Sequence, residues 1–200
     1  LVRGCDRVQL FISATNVATG KIRVFRNAEL TPKAVMASAC LPHLFQAIEI
    51  DGQPYWDGGY MGNPAIYPLI YNCESADVLI VQINPIERHA EPTTTPEIVD
   101  RLNEITFNAT LMREMRAIHF VGKLLAHHKV DPNDYKQVLL HRVDFAEEMR
   151  ELGAASKMNA DWSFLTHLRD LGREQGKAWL AAHYQDLGER TTIDLEADYL

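Results

Sequence analysis

The segment Ala37-Ser38-Ala39-Cys40-Leu41-Pro42-His43-Leu44-Phe45, followed at a hairpin's distance by Tyr55-Trp56-Asp57-Gly58-Gly59, decides how this chain is read. Just before it, Thr31-Pro32 supplies an N-cap and a proline at the first helical position. A short helix carrying Ala34, Val35 and Ala39 is therefore expected to run to about Cys40 and to stop before Pro42. From Ala47 to Tyr55 the residues alternate around Asp51-Gly52, which predicts a hairpin. Asp57-Gly58-Gly59 then puts a carboxylate where two absent side chains permit a tight turn and close backbone approach. Alone, that tripeptide reads as a turn, as Asp51-Gly52 does.

Upstream, Val8, Leu10 and Ile12 alternate between Arg7 and Ser13, and Ile22 and Val24 repeat the pattern from Lys21 to Arg26. With Thr19-Gly20 between them they predict a first β-hairpin. Downstream, a Gly- and Pro-punctuated segment from Gly62 to Pro68 leads to the apolar run Asp77 to Ile83, which has the character of a buried central strand. The polar, proline-bearing stretch from Glu87 to Pro96 reads as an exposed loop. Ile98, Leu102, Ile105, Ala109 and Met112 then recur at steps of four and three through Leu125, predicting an amphipathic helix of about eight turns. Its polar face mixes Glu97, Asp100, Arg101, Glu104, Arg113, Glu114 and Arg116, so core packing is expected rather than a Lys- and Arg-rich membrane face. A strand over Gln137 to Val143, a helix from about Asp161 to Tyr184 and a mobile polar tail from Glu189 to Leu200 complete the pattern. The chain thus divides by character into an α/β segment, 1–85, and a mainly helical part, 97–187.

The 200 residues carry 20 Lys plus Arg against 27 Asp plus Glu, a net charge of -7, with 46% hydrophobic residues. That is a globular balance, and no basic, aromatic-interleaved window offers a nucleic acid its electrostatic footing. No apolar run approaches the roughly 18 residues of a membrane span. Cys5, Cys40 and Cys73 are odd in number and widely spaced, which points to reduced thiols and a cytoplasmic setting rather than a disulfide or zinc framework. The opening Leu1-Val2-Arg3-Gly4 lacks an initiator Met and a signal-peptide pattern, so a longer parent chain is expected. None of the five serines, Ser13, Ser38, Ser75, Ser156 and Ser163, is flanked two residues away on both sides by Gly, and Walker, Rossmann, His-Glu-x-x-His and EF-hand patterns are missing. His127 and His128 point about 100° apart on a helix and cannot chelate one ion from one face, so structural or solvated roles are expected for them and for His119.

The quoted stretch resembles the patatin-like phospholipase family, whose pattern is a small-Ser-x-Ala-x-Pro-x-x-Phe segment closing a helix, then a hairpin, then Asp-Gly-Gly or Asp-Gly-Ala. Order and spacing match, Asn63-Pro64 and the following strand extend the likeness over Thr15 to Pro85, and Cys40 stands where the family usually has Ala. The resemblance implies an α/β, patatin-like three-layer fold with a central, mostly parallel sheet. This chain would supply its later strands and a helical C-terminal part, as a single partial domain. It implies a lipid acyl hydrolase working through a Ser-Asp dyad, with Asp57 as general base on the motif turn Gly58 and Gly59. The Gly-rich oxyanion loop and the nucleophilic Ser would lie upstream, outside the chain, which alone is expected to be inactive. No metal or organic cofactor is implied. The partner is a lipid or phospholipid substrate, reached by transient membrane-surface contact.

Physical chemistry sets the conditions for that role. An Asp with a pKa of about 3.9 is a poor base toward a serine hydroxyl unless partly desolvated and brought to about 2.6–3.2 Å of it. Tyr55 and Trp56 are the neighbours expected to shield Asp57. Ser38, without glycine neighbours, is expected to be a helix residue packed near the site. Two other readings stay open: an acyl transferase or thioesterase using the same dyad, and a non-enzymatic lipid-binding or interaction module in which Asp57 only shapes a turn. A chain without the first strands of such a sheet is expected to self-associate through the exposed edge.

Overall fold

The structure, a computed structural model, describes residues 2–5, 7–88, 91–144, 152, 156 and 158–200. It is a mixed α/β chain whose contacts gather into two compact units, one of residues 1–74 with 106–117, the other of residues 75–105 with 118–200.

In the first unit, β1 (Phe11–Asn16), β2 (Ile22–Arg26), β3 (Ile48–Ile50) and β4 (Gln53–Asp57) form one sheet in the order β2-β1-β4-β3, with every pairing antiparallel. Both hairpin turns follow from their residues. Asn16 Oδ1 accepts the Thr19 N–H at 2.9 Å and Gly20 takes φ +66°, while Asp51 and Gly52, at φ +53° and +71°, make the two-residue turn that Asp-Gly favours. β1 begins later than the expected Arg7. The Asn27 side chain captures the preceding segment, accepting from Leu10 N–H at 2.7 Å and donating to the Val8 carbonyl at 2.8 Å, so those backbone groups are spent outside the ladder.

Helix α1 (Pro32–Ser38) starts as expected, with Thr31 Oγ1 accepting the Ala34 N–H at 3.0 Å and Pro32 opening the first turn. Its Ala34 and Ala37, both wholly buried, join Ala14, Phe25, Leu30, Ile50 and Tyr55 in the core. Small residues on this face let α1 approach the sheet closely. Phe25 and Tyr55 meet edge-on with centroids 5.9 Å apart, and the Arg23 guanidinium lies 4.4 Å over the Phe25 ring. A short helix α2 (Tyr67–Asn72) follows the Gly- and Pro-punctuated segment.

The second unit holds β5 (Asp77–Val81) and β6 (Leu139–Val143), which pair in parallel in the register Asp77 to Leu139. Among the described residues the parallel arrangement expected of the main sheet is confined to this pair. The larger sheet is antiparallel because its β1-β2 and β3-β4 connections are hairpins, too short for a crossover. Val78 and Ile80 are buried, whereas Leu79, Val81 and Ile83 are exposed, so β5 is covered on one face instead of two. β5 also moves the division of the chain: contacts separate at residue 74/75 rather than in the 87–96 loop, because its hydrogen bonds go to β6 in the helical part.

Helix α3 (Thr95–Ala126) has 32 residues, about 48 Å at 1.5 Å per residue, and its middle turns belong to the first unit. Thr94 and Glu97 form a capping box that starts it three residues ahead of the periodic pattern. Core packing holds for Leu111, Met115 and Ile118, while Ile98, Val99, Leu102, Ile105 and Phe120 are exposed. Helix α4 (Trp162–His183) begins at the Asp161 cap, which accepts from Ser163 and Phe164 N–H groups.

The tail expected to be mobile is ordered instead. The Thr192 N–H donates to the Leu140 carbonyl at 3.0 Å, and the short helix α5 (Leu195–Tyr199) places Tyr199 at 2% exposure with its hydroxyl donating to Gln82 Oε1 at 2.9 Å. Arg142 adds an ion pair to Asp198 at 3.4 Å and lies over the Tyr199 ring. Polar periodicity alone concealed a residue that buries an aromatic ring and satisfies a buried amide. Tyr199→Phe leaves Gln82 without that donor and should cost roughly 1–3 kcal/mol in urea unfolding; an unchanged midpoint would mean that the Tyr199 hydroxyl contributes nothing to the second unit.

Candidate active site

Asp57 is the last residue of β4, and its backbone is held from three sides. It pairs with Ala14 of β1, its N–H donates to the Cys40 carbonyl at 2.9 Å, and its carbonyl accepts the Thr15 hydroxyl at 2.8 Å. The segment that closes α1 and the Asp-Gly-Gly turn, separated by a hairpin in sequence, are therefore joined directly through Cys40. The half-buried carboxylate is also oriented: Oδ1 accepts the Gly59 N–H at 2.7 Å and caps the 3-10 turn Gly58–Tyr60.

The two glycines are required by space rather than by backbone conformation, since neither has positive φ. A Cβ on Gly58 would overlap the Ser13 carbonyl and hydroxyl, and one on Gly59 would overlap the Phe107 ring and sit 3.0 Å from the Asp57 carboxylate. Phe107 belongs to the middle of α3, as do Thr110 and Glu114 one and two turns later. These three side chains line one face of the helix and clamp the chain that leaves Asp57. The Phe107 and Tyr60 rings meet at a tilt with centroids 5.0 Å apart, the Thr110 hydroxyl accepts the Asn63 N–H at 3.0 Å, and the Glu114 carboxylate lies beside the N–H groups of Ile66 and Tyr67.

Burial, and then the nearby Asp57 charge, push the Tyr60 hydroxyl above its ordinary value, and burial raises the Cys40 thiol, with Asp57 adding to it against the lowering pull of the Ile48 backbone. Asp57 is thus electrically close to Cys40 and Tyr60. Of the two side chains expected to shield it, Tyr55 is committed to the core, with its hydroxyl accepting from Arg23 at 3.1 Å, and Trp56 is half-buried. Ser38 is a helix residue as expected, its hydroxyl donating to the Val35 carbonyl at 2.7 Å. Among the described residues no group of three His, Cys, Asp or Glu side chains could hold a metal ion, and no helix is long and apolar enough to cross a membrane. His119 pairs with Glu196 at 3.1 Å, while His127 and His128 end α3, the latter at φ +52°.

What the sequence could not disclose was the role of α3. The signal was present only as the spacing 107, 110, 114, which repeats on one helix face, but nothing local relates that face to a turn fifty residues earlier.

Gly58→Ala should destabilise the first unit by about 1–3 kcal/mol, because the obstructing atoms include a strand carbonyl that cannot rotate away. A chemical denaturation midpoint equal to that of the native chain would remove the steric account. Burial also raises the Glu114 carboxyl above its ordinary value, against the pull of the two N–H donors. A raised folded-state value means that ionising Glu114 disfavours the fold: its favourable contribution is full below the ordinary Glu value of 4.5 and is lost as pH rises through the folded value. Glu114→Gln, which keeps an acceptor for both N–H groups, should gain stability over the native chain at pH 8, and the gain should shrink toward pH 4. A constant difference across that range would contradict the assignment. No protein-family model matches the chain, and no curated protein matches it by sequence.

Proposed function

We propose that the chain is the aspartate-bearing part of a patatin-like serine acyl hydrolase that cleaves acyl esters of lipids or phospholipids. The observation that carries this reading is the joining of Asp57 to the Ser38–Phe45 segment through the Asp57 N–H and Cys40 carbonyl, on a turn whose glycines cannot be replaced for want of room. Such over-determination suits a carboxylate that must keep its place to within a few tenths of an ångström.

In this reading a serine supplied from outside the 200 residues attacks the ester carbonyl. Asp57 accepts its proton and returns it to the leaving alcohol, and water hydrolyses the acyl-enzyme. The finer fold assignment, a patatin-like three-layer arrangement, belongs to the same proposal. Half-burial of Asp57 meets part of the desolvation requirement, and an approaching acyl chain would complete it.

The test is hydrolysis of a long-chain phospholipid by the protein with its upstream segment, against Asp57→Asn at equal folded concentration. Turnover should fall by about two to four powers of ten with the melting curve unchanged. Equal turnover would return Asp57 to a turn-forming role, and no turnover in either protein, with lipid binding retained, would favour a binding module.

A further inference from the structure

Asp77, His141 and Thr192, remote from one another in sequence, meet inside the second unit. His141 on β6 is fully buried, with Nε2 3.0 Å from Asp77 Oδ1 and Nδ1 3.0 Å from the Thr192 hydroxyl. The Gly188 N–H donates to the same Asp77 oxygen at 2.8 Å. That backbone donor first, and His141 second, hold the Asp77 carboxyl below the usual carboxylate value, so it is ionised at neutral pH.

An ionised carboxylate has only lone pairs to offer. Neutral His141 must therefore carry its hydrogen on Nε2 and donate it to Asp77, which leaves Nδ1 as an acceptor into which the Thr192 hydroxyl donates. A carboxylate that sets the imidazole tautomer, and an imidazole lone pair aimed at a hydroxyl, are the parts that turn an alcohol into a nucleophile. The Trp179 ring meets His141 edge-on, with centroids 5.8 Å apart, and helps to keep the imidazole dry. Thr192 itself is not sealed in. It lines two cavities of about 510 and 290 Å³, and the smaller is also lined by Arg190, whose Nε donates to Asp186 at 2.7 Å.

We propose that Thr192 is an acyl-accepting nucleophile, activated by His141 and Asp77, for esters whose short acyl group fits the smaller cavity. Thr192 Oγ bonds to the ester carbonyl carbon as its proton passes to His141 Nδ1, and the carbonyl oxygen becomes the oxyanion. The bond from carbonyl carbon to the alcohol oxygen then breaks, and His141 returns the proton to the departing alcohol. Water attacks the threonyl ester by the same path, yielding the free carboxylic acid and restoring the Thr192 hydroxyl. This site shares no residue with that of Asp57.

The probe is p-nitrophenyl acetate with the 200-residue chain, read by p-nitrophenolate release and by peptide mass mapping of the acid-quenched protein. The expected result is a burst of p-nitrophenolate with one acetyl group on Thr192. Thr192→Ser, which keeps the hydroxyl, should be acetylated at that position at least as fast, and Thr192→Val, nearly the same shape, should lose about 100-fold or more of the labelling rate while still unfolding in one cooperative transition. Position 192 unmodified in both the native chain and the serine variant would overturn the proposal. So would equal labelling of Thr192 in a folded His141→Gln protein.

Discussion

The approach of the Phe107 ring to Gly59 is the contact on which the first unit turns. It fills the place a side chain would take, so the 3-10 turn tightens until the Gly59 N–H reaches the Asp57 carboxylate. Ser13 applies the same constraint to Gly58 from the sheet. With the turn held between a strand and a helix, Asp57 can be gripped by Cys40 and Thr15 and still present a half-buried carboxylate. Thr110 and Glu114 extend the grip to Asn63, Ile66 and Tyr67, so one helix face sets the course of the chain from residue 57 to residue 67.

The second unit is held by different means. Its two strands form a narrow sheet, and polar side chains join segments that are distant in sequence. Asp77 gathers His141 and Gly188, His141 gathers Thr192, and Gln82 gathers Tyr199. The bonds to His141 and Gln82 satisfy groups that burial would otherwise leave unpaired, which makes the C-terminal segment part of the unit rather than an appendage. The same economy creates the hydroxyl, imidazole and carboxylate alignment beside the cavities.

What local chemistry dictates was legible beforehand. Thr31-Pro32 starts α1 where a cap and a fixed φ belong, Asp51-Gly52 turns the second hairpin, and the three- and four-residue spacing from Ile98 onward marks α3. What depends on partners far along the chain was not. Asn27 displaces the start of β1, Gln82 and Arg142 order a tail that looks merely polar, and the sheet is antiparallel where a mostly parallel one was expected. At the site, Asp57, Gly58 and Gly59 stood out as a motif, but the reason that positions 58 and 59 are glycine lies in Ser13 and Phe107. Asp77, His141 and Thr192 carry no motif because their alignment comes from pairing β5 with β6 and folding the C-terminal segment over them.

The most direct test of the central claim is a double-mutant cycle between Gly59→Ala and Phe107→Ala, read by urea unfolding. If the ring and the missing side chain compete for one space, Gly59→Ala should be costly alone and much cheaper once Phe107 is shortened, with a coupling of about 1 kcal/mol or more. Additive effects, within about 0.5 kcal/mol, would show that α3 does not hold the Asp57 turn in place.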